Sequence, residues 1–115
     1  MDKITMITLM YDFYGQLLTE RQQKFVELYY GNDYSLGEIA ENYGVSRQAV
    51  HDTLKRAENI LRNYENKLGL VHRMLVQRSK LAEAARLLEE CDAPLPRQVV
   101  RAREIIQEVL DMDRG

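Results

Sequence analysis

Apolar residues at the start of the chain recur three and four positions apart: Ile7, Met10, Tyr11, Tyr14, Leu17 and Leu18. This spacing gathers them on one helical face and predicts a first helix from about Ile4 to Leu18. Thr19 followed by Gln22 has the form of a capping box, in which side chain and backbone satisfy each other at a helix start, so a second helix follows with Phe25, Leu28 and Tyr29 inward. Gly31, Asn32 and Asp33 form a turn cluster that should end it, Gly and Asn entering left-handed backbone at little cost. Ser35 with Glu38 makes a second capping box, and Leu36, Ile39, Ala40 and Tyr43 predict a short helix stopped by Gly44.

From Ser46 no Gly or Pro occurs until Gly69, so a fourth helix of roughly 22 residues can run about 33 Å. Its seam of Val50, Leu54, Ala57, Leu61, Tyr64 and Leu68 steps by four and three alternately, which is the rhythm of a helix packed along its length on a partner. Val71, Met74, Leu81, Ala85 and Leu88 continue that rhythm, with Arg78 at one seam position, and predict a fifth helix from about Val71 to Glu90. Pro94 and Pro96 make the next stretch a connector, because each disfavours helical geometry at the residue before it. Val99, Ala102, Ile106 and Val109 mark a short last helix. No stretch alternates as a strand does.

The informative segment is Leu36 to Leu54, LGEIAENYGVSRQAVHDTL. Two helices that cross at about 90 to 120° through a tight turn need a small residue at their contact and a glycine in the turn. Ala40 and Gly44 supply these, Val45 can plug the corner, and Val50 can pack back on Ile39. Ser46 would cap the second helix and leave a positive dipole end toward a phosphate. Arg47, Gln48, His51, Asp52 and Lys55 then share the solvent arc, and these residue types read base edges and hold phosphates. The same pattern also describes a plain corner of two helices with a solvated face. From Ser35 to Asn59 the cations Arg47, Lys55 and Arg56 are outnumbered by Glu38, Glu41, Asp52 and Glu58, although two of these acids lie on the supporting helix.

Composition narrows the classes. With 115 residues the chain is the size of one domain with an extension, and 16 Lys and Arg against 18 Asp and Glu leave a net charge of −2, so basic surface must be local. Arg56, Arg62, Lys67, Arg73, Arg78, Lys80 and Arg86 are such a stretch, but interleaved Glu58, Glu65, Glu83 and Glu89 favour pairs one helical turn apart and hence a solvated face. Seven tyrosines precede or lie beside Glu65 and read as core. One cysteine and two separated histidines offer no disulfide and no structural zinc set, and no phosphate loop, nucleophile elbow or paired acid and base is visible, so neither cofactor nor enzymatic activity is expected. The thiol usage and the absence of an apolar run long enough to span a bilayer predict a cytoplasmic protein not inserted in the membrane.

The run from Leu17 to Leu70 closely resembles the YlxM family of small bacterial helix-turn-helix proteins. The resemblance is carried by Leu28-Tyr29-Tyr30 with Asp33-Tyr34-Ser35-Leu36, Val45-Ser46-Arg47-Gln48-Ala49-Val50, Lys55-Arg56, and Tyr64-Glu65 with Lys67-Leu68. It implies a fold like the promoter-reading fourth region of sigma factors, a regulatory role, and a context in or near the signal recognition particle pathway.

The chain is therefore read as all-α. Residues 1–70 form a helix-turn-helix domain, sigma region 4-like and without a wing, whose last helix is long; residues 71–115 form a helical extension. Its expected partner is DNA: Gln48, His51 and Asp52 face base edges, while Ser46, Arg47, Lys55 and Arg56 lie nearer phosphates. The alternative is a non-catalytic adaptor that binds protein or RNA of the signal recognition particle, and the slightly acidic charge keeps it open. The seam and stripe on the two long helices offer more apolar surface than the C-terminal helices can cover, which predicts a homodimer through the C-terminal half, centred on Leu61 and Leu81.

Overall fold

The computed structural model describes residues 1–92 and 94–112, and every regular element among them is helical. These are α1 (Lys3–Tyr14), α2 (Glu20–Val26), α3 (Leu36–Tyr43), α4 (Arg47–Leu68), α5 (Leu70–Glu89) and α6 (Arg97–Met112). They fall into two compact units, the first ending at Val71 and the second starting at His72.

In the first unit, α1, α2 and α3 all pack on α4. Val50, Leu54, Ala57 and Leu61 of α4 are buried with Ile7, Met10 and Tyr14 of α1, Phe25 and Val26 of α2, and Ile39 and Ala40 of α3. The seam read from the sequence is thus the core of this unit as far as Leu61, which is fully buried, and beyond it Leu68 is 53% exposed. Leu61 is covered by its own chain and is not presented to a second copy. Both capping boxes form: the Thr19 hydroxyl accepts from the Gln22 amide at 3.2 Å and the Ser35 hydroxyl from the Glu38 amide at 3.1 Å. The expected limits of α4 also hold, with Ser46 as its cap and Gly69 left-handed at its end (φ 62°), so the helix stops there and α5 starts at the next residue.

Three local expectations are corrected. α1 starts at Lys3, because the Asp2 carboxylate accepts from the Thr5 amide, and it ends at Tyr14, followed by a 3₁₀ turn over Gly15–Leu17. α2 runs on as a π-helical turn over Glu27–Gly31, closed by the Asn32 amide donating to the Glu27 carbonyl at 3.0 Å. The left-handed residue after it is Asp33 (φ 59°), not Gly31 or Asn32.

Three tyrosine hydroxyls donate to carboxylates: Tyr11 to Glu27 at 2.6 Å, Tyr14 to Glu65 at 2.7 Å, and Tyr30 to Glu58. Glu58 and Glu65 therefore hold partners far along the chain instead of serving only as solvated partners one turn away. Glu65 also accepts from the Val71 amide at 3.0 Å, and the Tyr14 oxygen accepts from the Leu70 amide at 3.1 Å, so the first turn of α5 is capped from α1 and α4. Burial first, and the carboxylate acceptor second, raise all three phenols above the ordinary value, Tyr11 to about 12. The folded chain thus holds these protons more tightly than the unfolded one. Their contribution to stability is complete below about pH 10, the ordinary phenol value, and is lost as pH rises through the raised values. Unfolding midpoints should fall between about pH 10 and 12 for the parent and fall less steeply for Tyr30→Phe; equal slopes would count against this assignment.

In the second unit, Ala85 of α5 and Leu110 of α6 are the buried side chains among the described residues, while Met74, Leu81 and Leu88 are half-buried. α6 turns a different face inward from the one expected. Ala102 and Val109 are exposed, whereas Val99, Arg103 and Ile106 are half-buried in line with Leu110. Steps of four, three and four fit a helical period as well as steps of three, four and three, and Leu110 favours the former.

Candidate nucleic-acid interface

The corner between α3 and α4 is built by short-range chemistry. Gly44 takes left-handed backbone (φ 65°) at the end of α3, where a Cβ would cost about 1 kcal/mol, and the Val45 amide donates back to the Ala40 carbonyl at 3.1 Å. Ile39, Ala40 and Val50 are buried at the junction and Val45 is half-buried. The Ser46 hydroxyl accepts from the Ala49 amide at 3.0 Å and starts α4.

Ser46, Arg47, Gln48, His51, Asp52, Lys55 and Arg56 are all exposed on the first half of α4. They do not act as seven independent groups. The Gln48 amide nitrogen donates to Asp52 Oδ1 at 2.9 Å, and His51 Nδ1 lies 3.6 Å from the same oxygen, so Asp52 ties the three residues expected at base edges into one cluster. Arg47 lies back over α3: a Cβ on Gly37 would stand 3.1 Å from its Nε and Nη2. Gly37 therefore makes room for the guanidinium, a role the sequence did not signal. Arg47, Lys55 and Arg56 against Asp52 leave the arc cationic, whereas Glu38 and Glu41 sit on α3.

Lys55 and His51 border a recess with residues that the sequence reading missed. Glu58 is 4% exposed, accepts from Tyr30, and has Lys3 Nζ 3.5 Å from its Oε2. A charged residue one position after Ala57, within the buried stripe of α4, was the available signal that Glu58 needs a partner. Among the described residues no three His, Cys, Asp or Glu side chains are placed to hold a metal ion, and no helix is long and apolar enough to cross a membrane.

Residues 1–93 match the family model UPF0122, described as "Putative helix-turn-helix protein, YlxM / p13 like". Among similar chains, a UPF0122 protein of Desulforamulus reducens is 53% identical over 106 residues, covering 91% of each chain. One of Acetivibrio thermocellus is 49% identical over 92 residues, 80% of this chain and 79% of the relative. A third, of Oceanobacillus iheyensis, is 50% identical over 88 residues, 76% and 83% of the two chains.

Proposed function

We propose that this chain, which belongs to the UPF0122 family of YlxM/p13-like helix-turn-helix proteins, is a non-catalytic DNA-binding regulator whose helix α4 enters the major groove. The observation that carries the reading is the exposed arc from Ser46 to Arg56, set on a helix whose opposite face is the core and whose start is fixed by the left-handed Gly44 and the Ser46 cap. A helix presented in this way projects its N-terminal side chains into a groove while the supporting helix crosses the backbone. In this assignment Gln48, His51 and Asp52 lie at base edges, and Ser46, Arg47, Lys55 and Arg56 at phosphates.

With few cations in the arc, one copy would hold nonspecific DNA weakly, and specificity is best reached by linking two half-sites in a homodimer. The second unit is the proposed dimer surface: Val76 and Leu87 of α5 and Ile105 and Val109 of α6 are exposed apolar residues on helices that bury little among themselves. The seam around Leu61 has no part in it.

One feature favours a second reading. The carboxylate of Asp52 stands in the middle of the arc and already engages Gln48, and the chain as a whole carries a net charge of −2, which suits a non-catalytic adaptor that binds protein or RNA of the signal recognition particle. Selection from a random duplex pool, run beside a pull-down of the particle's protein and RNA and sedimentation of the same sample, separates the readings. Enrichment of a two-fold symmetric site by a dimer is expected. Enrichment of no sequence, with retention of a particle component, would overturn DNA reading, and a stable monomer at micromolar concentration would overturn the dimer.

A further inference from the structure

Beside the reading arc lies a recess of about 160 Å³, lined by Lys3, Tyr29, Tyr30, His51, Lys55 and Glu58 together with two leucines. It joins four parts of the chain: the first turn of α1, the π-helical turn after α2, the first residue of α3, and α4. Two ammonium groups and an imidazole surround it, against a single carboxylate. That carboxylate, Glu58, is buried at its wall and occupied by the Tyr30 hydroxyl, so it can still attract Lys3 without reaching into solvent. Lys3 is consequently held at the rim: its Nζ is 3.5 Å from Glu58 Oε2, yet its side chain is 54% exposed, leaving donor hydrogens free to turn outward. Lys55, three residues before Glu58 on α4, lines the same space.

We infer that this recess is a phosphate-binding site in which Lys3 and Lys55 grip one phosphate group from two helices. The chemistry fits a monoanionic or dianionic oxygen ligand, because ammonium groups act on phosphate as point charges that need no fixed fork geometry, and the Tyr29 side chain on the lining can add a hydrogen bond. Burying Glu58 within α4 is costly for a residue whose only service is packing; here it accepts from Tyr30 and keeps Lys3 near the recess, while competing with an incoming anion for that ammonium. The recess adjoins the arc through His51 and Lys55, so under the DNA reading its occupant is a backbone phosphate flanking the groove, and α1 becomes part of the footprint. That identification rests on the proposed function, whereas the recess itself does not. A soluble phosphate would use the same groups.

Two arms test the inference with the full chain. In the first, duplex binding is measured across a salt series for the parent, Lys3→Gln, Lys3→Arg and Glu58→Gln. Loss of one phosphate contact should lower the salt slope of Lys3→Gln by about 0.9, with Lys3→Arg keeping the parental slope. Glu58→Gln retains an acceptor for Tyr30 while removing the competing charge, and should bind more tightly at low salt. Thermal melting of each variant accompanies the series, since a Lys3 that only steadies Glu58 would lower the melting temperature and leave the slope unchanged. In the second arm, inorganic phosphate is titrated while the amide signals of His51 and Lys55 are followed by NMR. Saturable shifts in the parent that vanish in Lys3→Gln, with no change in DNA slope, identify a soluble phosphate as ligand. DNA binding by the parent with an unchanged slope in Lys3→Gln and no saturable phosphate shift overturns the recess but leaves the DNA reading intact. Saturable phosphate shifts in a parent that binds no DNA do the reverse, and absence of both overturns both.

Discussion

Leu61→Ala should destabilise the protein by about 2 to 5 kcal/mol, the range for emptying a buried leucine site. Leu61 is fully buried on the helix against which α1, α2 and α3 all pack, so the lost methyl groups leave a cavity bordered by several elements, not a surface that can relax into water. Chemical unfolding followed by circular dichroism, read as a shift of midpoint at constant slope, measures the change. Leu68→Ala is the matched control, because the same side chain two turns further along is 53% exposed and its removal should stay within about 0.5 kcal/mol. Protein concentration adds a second test. If Leu61 served a second copy, its loss would weaken association and the apparent change would depend on concentration; burial within the unit requires a change independent of it. A loss for Leu61→Ala no larger than that for Leu68→Ala would contradict this account of the core.

What was legible in the sequence was the part set by neighbours within a turn or two. Thr19 with Gln22, Ser35 with Glu38, Gly44, and the span between Ser46 and Gly69 all act through backbone groups three to five residues away, so residue type and spacing suffice to place them. The exposed arc was legible for the same reason: once Val50, Leu54, Ala57 and Leu61 define the inward stripe, Gln48, His51, Asp52 and Lys55 must face away. Contacts across long sequence distances were not. Nothing near Glu58 announces Lys3 or Tyr30, and nothing near Glu65 announces Tyr14, because the fold, not the spacing, brings those pairs together. Within the expected turn cluster the left-handed backbone fell on Asp33, just after the Asn32 amide that closes the π-helical turn, because such a turn is a geometry that a pattern of three and four does not contain. In the candidate site, the identity of the exposed residues was legible and their mutual engagement was not: Arg47 leans on α3 over Gly37, and Asp52 holds Gln48 and lies beside His51.

That engagement shapes the second large effect expected, on DNA binding. The Gln48 amide and the Asp52 carboxylate share one hydrogen bond at 2.9 Å, so under the proposed DNA reading the pair would meet a base edge as a preoriented unit, with the Gln48 carbonyl oxygen and the second Asp52 oxygen still able to accept. Gln48→Ala should therefore cost about 1 to 3 kcal/mol at the preferred site, the worth of a good base contact, and little elsewhere. Lys55→Ala removes a charge that the proposed reading places at the DNA backbone, and should weaken all sequences alike while lowering the salt slope by about one. Asp52→Asn separates positioning from repulsion: it keeps an acceptor for Gln48 but loses the charge that opposes phosphates, so nonspecific binding should rise and discrimination between sites should narrow. Affinities for the enriched duplex and a scrambled one, measured for the three variants over the same salt range, give both quantities at once. If Gln48→Ala and Lys55→Ala produced the same loss on both duplexes with the same change of slope, α4 would be acting as a uniform charged rod, and the division of its arc into base-reading and phosphate-holding residues would be wrong.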